Sequence, residues 1–153
     1  MKTITHPQVR SEVIARLRKL EPNTPRKWGK MNAHQMVCHL KDSHSVVMGE
    51  MKAADKSNPV SRTVVRLIAL RVPMQWPKGV ATVPELDQAA GGGTRPVVFE
   101  NDRLCLIELI DRFSAPRRDF TFDRHPIFGT MSDWEWSRWG YLHTDHHLRQ
   151  FGL

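Results

Sequence analysis

A chain of 153 residues, 40% hydrophobic and 25% charged, fits one folded domain of roughly 100–150 residues and is too apolar for a disordered segment. Its net charge of +7 is uneven, with eight bases against two acids in residues 1–30 and five bases against none in residues 56–84. Two cysteines cannot build a disulfide framework, no apolar run nears the roughly 20 residues of a membrane span, and residues 1–10 hold no signal-peptide core; a single domain over 1–153, cytoplasmic and with no membrane partner, is expected.

The helix signals are good and the strand signals poor. Thr5 and Gln8 form a capping-box pattern with Pro7 in the first turn, and Val9, Val13, Ile14, Leu17 and Leu20 follow at helical spacing until Pro22 and Pro25. Asn32 and Gln35 cap a second helix expected to reach Met51 or a little beyond. Its apolar face is Ala33, Met36, Val37, Leu40, Val47 and Met51. Ser61 to Leu70 is a short helix. Val72 to Pro96 holds four prolines and the Gly91-Gly92-Gly93 run, and reads as a flexible connector or, second, as a lid over a pocket. A third main helix fits Val97 to Phe113. A loop with His125-Pro126-Ile127-Phe128-Gly129 comes next, and a last helix runs from the Ser132/Glu135 capping box to about Gln150. Four main amphipathic helices predict an all-α fold, a four-helix bundle with long connecting loops.

The histidines carry the chemistry. His143 and His147 stand four residues apart, some 40° apart on one helical face, so two imidazoles can share one metal ion. Gly140, on the same stripe, makes room for a ligand or a neighbouring helix. A third ligand must come from elsewhere. The second helix offers His34, His39 and His44; His39 borders the apolar face and suits either a ligand or a half-buried imidazole bonded to a backbone carbonyl. Asp42, one turn on, either orients an imidazole or is a surface charge. His146 is a weaker alternative ligand. His125 is a turn histidine or a proton shuttle. Cys38 reads as a small core residue, and Trp136 and Trp139 as walls of an apolar pocket.

The stretch His39-Leu40-Lys41-Asp42-Ser43-His44 and the run His143-Thr144-Asp145-His146-His147 resemble the second-helix and last-helix motifs of the DinB-like (YfiT-like) superfamily. Trp28, Lys78-Gly79, the His125 segment and the ending His146-His147-Leu148-Arg149-Gln150-Phe151-Gly152 resemble an uncharacterised branch of it. The resemblance implies a bundle in which His39, His143 and His147 hold a divalent metal, zinc or nickel first. It also implies an enzyme of the thiol-dependent S-transferase or hydrolase type, with a small-molecule substrate, a low-molecular-weight thiol as cosubstrate and pairing into a homodimer; catalytic residues beyond the ligands stay unassigned. Three neutral imidazoles leave an ion its full charge and an open position, and zinc so held can bring the pKa of bound water from 15.7 to about 7. The competing readings are a non-catalytic metal- or small-molecule-binding bundle and a basic nucleic-acid-binding protein. The latter lacks zinc-finger spacing and an RNP-type strand.

Overall fold

The computed structural model describes residues 1–153 and is all-helical, with no strand beyond an isolated bridge between His125 and Gly129. The helices are α1 (Pro7–Arg18), α2 (Ala33–Val47), α3 (Arg66–Arg71, entered through a π-turn at Ser61–Val65), α4 (Phe99–Phe113) and α5 (Asp133–Gln150). α2 packs on α4 and α5, α1 packs on α4 and α5, and α3 lies against α5. Their apolar stripes meet in a buried cluster that includes Val13, Leu17, Met36, Leu40, Leu106, Ile110, Phe113, Trp136 and Leu148.

Local chemistry sets two helix starts. The Asn32 side chain accepts from the Gln35 N–H while the Gln35 side chain accepts from the Asn32 N–H, and Ser132 and Glu135 do the same at α5. The box expected at Thr5 and Gln8 does not form. Instead Thr5 is drawn to α5, its hydroxyl 2.6 Å from Ser137 Oγ, and Ile4 is buried beneath it. α1 has His6 at its N-cap with no side-chain bond and relies on Pro7 at its first turn.

α2 stops at Val47, short of the expected Met51. Gly49 adopts φ +78°, a left-handed conformation that turns the chain away. Of the segment 72–96, residues 83–94 are packed rather than a free connector, while most of 72–82 is exposed. It contains two short 3₁₀ turns, Pro84–Leu86 and Gln88–Ala90, and buries Val83 and Leu86 against Val46 of α2. Asp42 holds it down: the buried carboxylate accepts from the Thr94 N–H (2.7 Å), the Thr94 hydroxyl (2.6 Å) and Gln88 Nε2 (3.0 Å). Asp42 is therefore neither a surface charge nor an orienter of imidazoles. A Cβ on Gly93 would fall 2.4 Å from Asp42 Oδ2, so the glycine lets the loop backbone reach the carboxylate.

Candidate metal centre

α2 and α5 bring His39, His143 and His147 together. One ligand atom from each lies within 4.8 Å of the others, and all three rings sit in or at the edge of the core. The Nε2 atoms of His39 and His143 are 3.2 Å apart. Tetrahedral coordination with Zn–N of about 2.0–2.1 Å separates ligand nitrogens by about 3.3 Å, so this pair is spaced for one cation.

The second nitrogen of two of these rings is committed. His39 Nδ1 lies 2.8 Å from the Leu86 carbonyl, which only accepts, so Nδ1 carries the proton and Nε2 keeps its lone pair. His147 Nδ1 lies 3.0 Å from Gln150 Oε1. Gln150 has no choice of orientation, because its Nε2 donates to the Trp28 carbonyl at 2.9 Å. Its oxygen must face His147, which fixes that imidazole too with Nε2 free. Gly29 makes this possible: it sits at φ +85°, and a Cβ there would fall 2.0 Å from Gln150 Nε2. The two lone pairs cannot bond one another, and His143 can donate its one N–H to His39 Nε2 at 3.2 Å, which leaves His147 Nε2 without a donor. His143 Nδ1 is buried with no partner, so the cluster is not closed by hydrogen bonds within the protein. The donor set fits a divalent ion held by three neutral imidazoles.

Burial lowers the pKa of all three rings. His143 and His147 lie well below the usual imidazole value, first from desolvation and then from the neighbouring imidazoles. His39 is lowered by desolvation, partly offset by its bond to Leu86. The neutral, metal-ligating form is the one the fold favours. No carboxylate belongs to the cluster.

The other candidates fall elsewhere. His146 is outside the cluster; its ring packs edge-on against Trp28 at 4.7 Å. His34 bonds Asp102 at 2.8 Å. His44 is buried between Phe113 and Trp139 and bonds the Leu40 carbonyl through Nδ1. His125 Nδ1 accepts the N–H groups of Ile127 and Phe128, each at 3.1 Å, which is the turn role. Gly140 makes room for a helix rather than a ligand, since a Cβ there would lie 2.8 Å from Phe113 Cε1. Cys38 is in the core. Of the expected wall, Trp139 does pack on His143, at 5.0 Å between ring centroids, while Trp136 stacks on Phe122. Trp76, 6.2 Å from His143, and Gln150 were not singled out from sequence as parts of the site. The Gln150 signal was there, since it stands three residues after His147 on one helix and so shares its face.

Fold and site together define a class: an all-helical protein with two buried imidazoles and a third half-buried one, together able to hold a metal ion. The chain belongs to the family described as Protein of unknown function (DUF1569), whose model matches residues 6–152. No curated protein and no solved structure matches it.

Proposed function

We propose that this chain is a metal-dependent enzyme of the DinB-like superfamily, one four-helix-bundle domain over residues 1–153, in which His39, His143 and His147 hold a divalent ion. The observation that carries the reading is the convergence of three imidazoles, of which buried His39 and His147 are fixed by Leu86 and Gln150 with Nε2 turned inward and His143 is half-buried. A divalent ion held there would supply Lewis-acid chemistry, acidifying a water or a thiol at its open position. The chain's own residues do the rest. Leu86 and Gln150 set the tautomers. Trp139 and Trp76 border His143 with apolar surface, which limits water and favours the apolar part of a small-molecule substrate. Reaction class follows the superfamily: thiol-dependent S-transfer or hydrolysis, with zinc or nickel as the ion and a cytoplasmic thiol as cosubstrate.

Cobalt substitution tests it. Co²⁺ added to metal-free protein should give the visible bands of a nitrogen-ligated site, and a small thiol should shift them and add a sulfur-to-metal charge-transfer band. Bands that no thiol or anion perturbs would mean a closed, structural site and would contradict the enzymatic reading.

A further inference from the structure

Gln35, His39 and Asp42 stand at i−4, i and i+3 on α2 and so share one face. The loop from Pro84 to Thr94 lies across that face and is gripped at each of the three. Gln35 Nε2 donates to the Gln88 carbonyl at 3.1 Å and His39 Nδ1 to the Leu86 carbonyl at 2.8 Å. Asp42 accepts from Gln88 Nε2, the Thr94 N–H and the Thr94 hydroxyl. The middle grip belongs to the candidate metal ligand. The outer two residues bond no imidazole themselves.

The loop is shaped to be held in this way. Gln88 is buried, and its side chain also donates to the Thr94 carbonyl at 2.9 Å, which ties the two gripped points together. The Gly92 N–H closes on the Asp87 carbonyl at 2.9 Å. A Cβ on Gly92 would fall 2.0 Å from the Pro84 carbonyl oxygen, so the loop doubles back on itself only with glycine there. Its apolar hold on α2 is small, since Val83 and Leu86 meet Val46 in a cluster of only three buried side chains. The polar grips of Gln35 and Asp42 therefore decide where the Leu86 carbonyl stands.

That carbonyl sets the tautomer of His39. An unconstrained imidazole in water carries its proton mainly on Nε2, where it would block the lone pair a cation needs. In this fold the Leu86 carbonyl draws the proton to Nδ1. We infer that Gln35 and Asp42 are positioning residues for His39. They act at one remove, by clamping the loop whose Leu86 carbonyl keeps the proton on Nδ1 and leaves Nε2 to the centre. The inference rests on the reading of His39 as a metal ligand, but the proton it concerns is in place with or without the ion.

Long-range proton–nitrogen NMR of the metal-free, histidine-labelled full-length protein tests it, because each ring's tautomer is read directly. Wild-type His39 should show the Nδ1–H form. Gln35→Glu keeps the acceptor for the Asn32 N–H, and with it the start of α2, but offers the Gln88 carbonyl no donor. Gln35→Glu and Asp42→Ala should each move His39 toward the Nε2–H form, while His147, held by Gln150, stays unchanged. Asp42→Asn can still accept from Gln88 and the Thr94 N–H and donate to the Thr94 hydroxyl, and should keep the wild-type signal. Zn²⁺ affinity should fall about 10-fold in Asp42→Ala and be retained in Asp42→Asn. A His39 that stays Nδ1–H in both Gln35→Glu and Asp42→Ala would overturn the inference. So would a His147 that shifts along with His39, which marks general loosening. Should Asp42→Ala not fold, Gln35→Glu decides alone. A wild type that binds no Zn²⁺ would overturn the metal reading instead, and the tautomers, read without the ion, tell the two failures apart.

Discussion

α2 contributes to two groups of ligand-type side chains, and they differ instructively. One is His39 with His143 and His147; the other is His34 with Cys38 and Asp102 of α4. Both bring three donor atoms within 4.8 Å. In the first, two nitrogens point inward as lone pairs, and His143 has a single N–H to offer them. In the second, the carboxylate is already satisfied, with Lys41 bonded to one oxygen of Asp102 and His34 to the other. Burial pushes the Asp102 carboxyl up, but the bonds from Lys41 and His34 outweigh it and hold it below its usual value. The Cys38 thiol is pushed up to about 12 by desolvation and then by Asp102, and a thiol that resists ionising is a poor ligand. Proximity of ligand residues is therefore not enough. What separates the two groups is whether their lone pairs are already spent.

The largest expected effect breaks the symmetry between them. His143→Ala or His147→Ala should abolish stoichiometric uptake of Zn²⁺ or Ni²⁺ in titration calorimetry. Cys38→Ala and Asp102→Asn should leave uptake unchanged, the latter costing on the order of 1–3 kcal/mol in urea unfolding because Lys41 and His34 lose a charged partner.

Asp42→Ala comes next. It strips a buried carboxylate of three bonds that tie Gln88 and Thr94 to α2, and should destabilise the fold by about 3 kcal/mol. Hydrogen exchange should show the Pro84–Thr94 segment losing protection first. Loss of protection confined to α2, with Pro84–Thr94 unchanged, would refute the tether.

Gln150→Ala sharpens the account of the first group. His147 would lose the acceptor that fixes its tautomer, and ion affinity should fall about 10–100-fold. Gly29→Ala should act in the same direction, by pushing Gln150 off Trp28. Gln150→Glu, which keeps an acceptor, should retain more affinity than Gln150→Ala.

The effect furthest from the comparison is acid sensitivity outside both groups. His44 is depressed by desolvation from 6.5 to about 4, and His125, also by desolvation, to about 3. Above pH 6.5 each is neutral folded and unfolded. Below it the unfolded chain takes up protons that the folded chain refuses, so stability falls as pH drops, by at most about 1.4 kcal/mol per pH unit per group, until the folded pKa is reached. Urea midpoints of metal-free protein from about pH 7 to about pH 5 should fall, and His125→Asn should flatten the slope.

What could be read in advance was local. The boxes at Asn32/Gln35 and Ser132/Glu135 span four residues each and need nothing from the rest of the chain. The i, i+4 histidines are fixed by helical geometry once α5 exists. Thr5/Gln8 failed because Ser137, far along the chain, offers Thr5 a better partner. The tether at Asp42 has no local signal, as its acceptors' partners lie some 50 residues away. The same distance hid the Leu86 carbonyl behind a segment rich in proline and glycine, the usual marks of a connector. Gly140 showed that something must come close, but only the packing of α4 on the core identifies it as Phe113.

Metal content of the untagged protein, purified without chelator, bears most directly on the centre. About one divalent ion per chain is expected, lost in His39→Ala, His143→Ala and His147→Ala and kept in Asp102→Asn. An ion-free protein that takes up added Zn²⁺ or Ni²⁺ no better than the three alanine variants would contradict it.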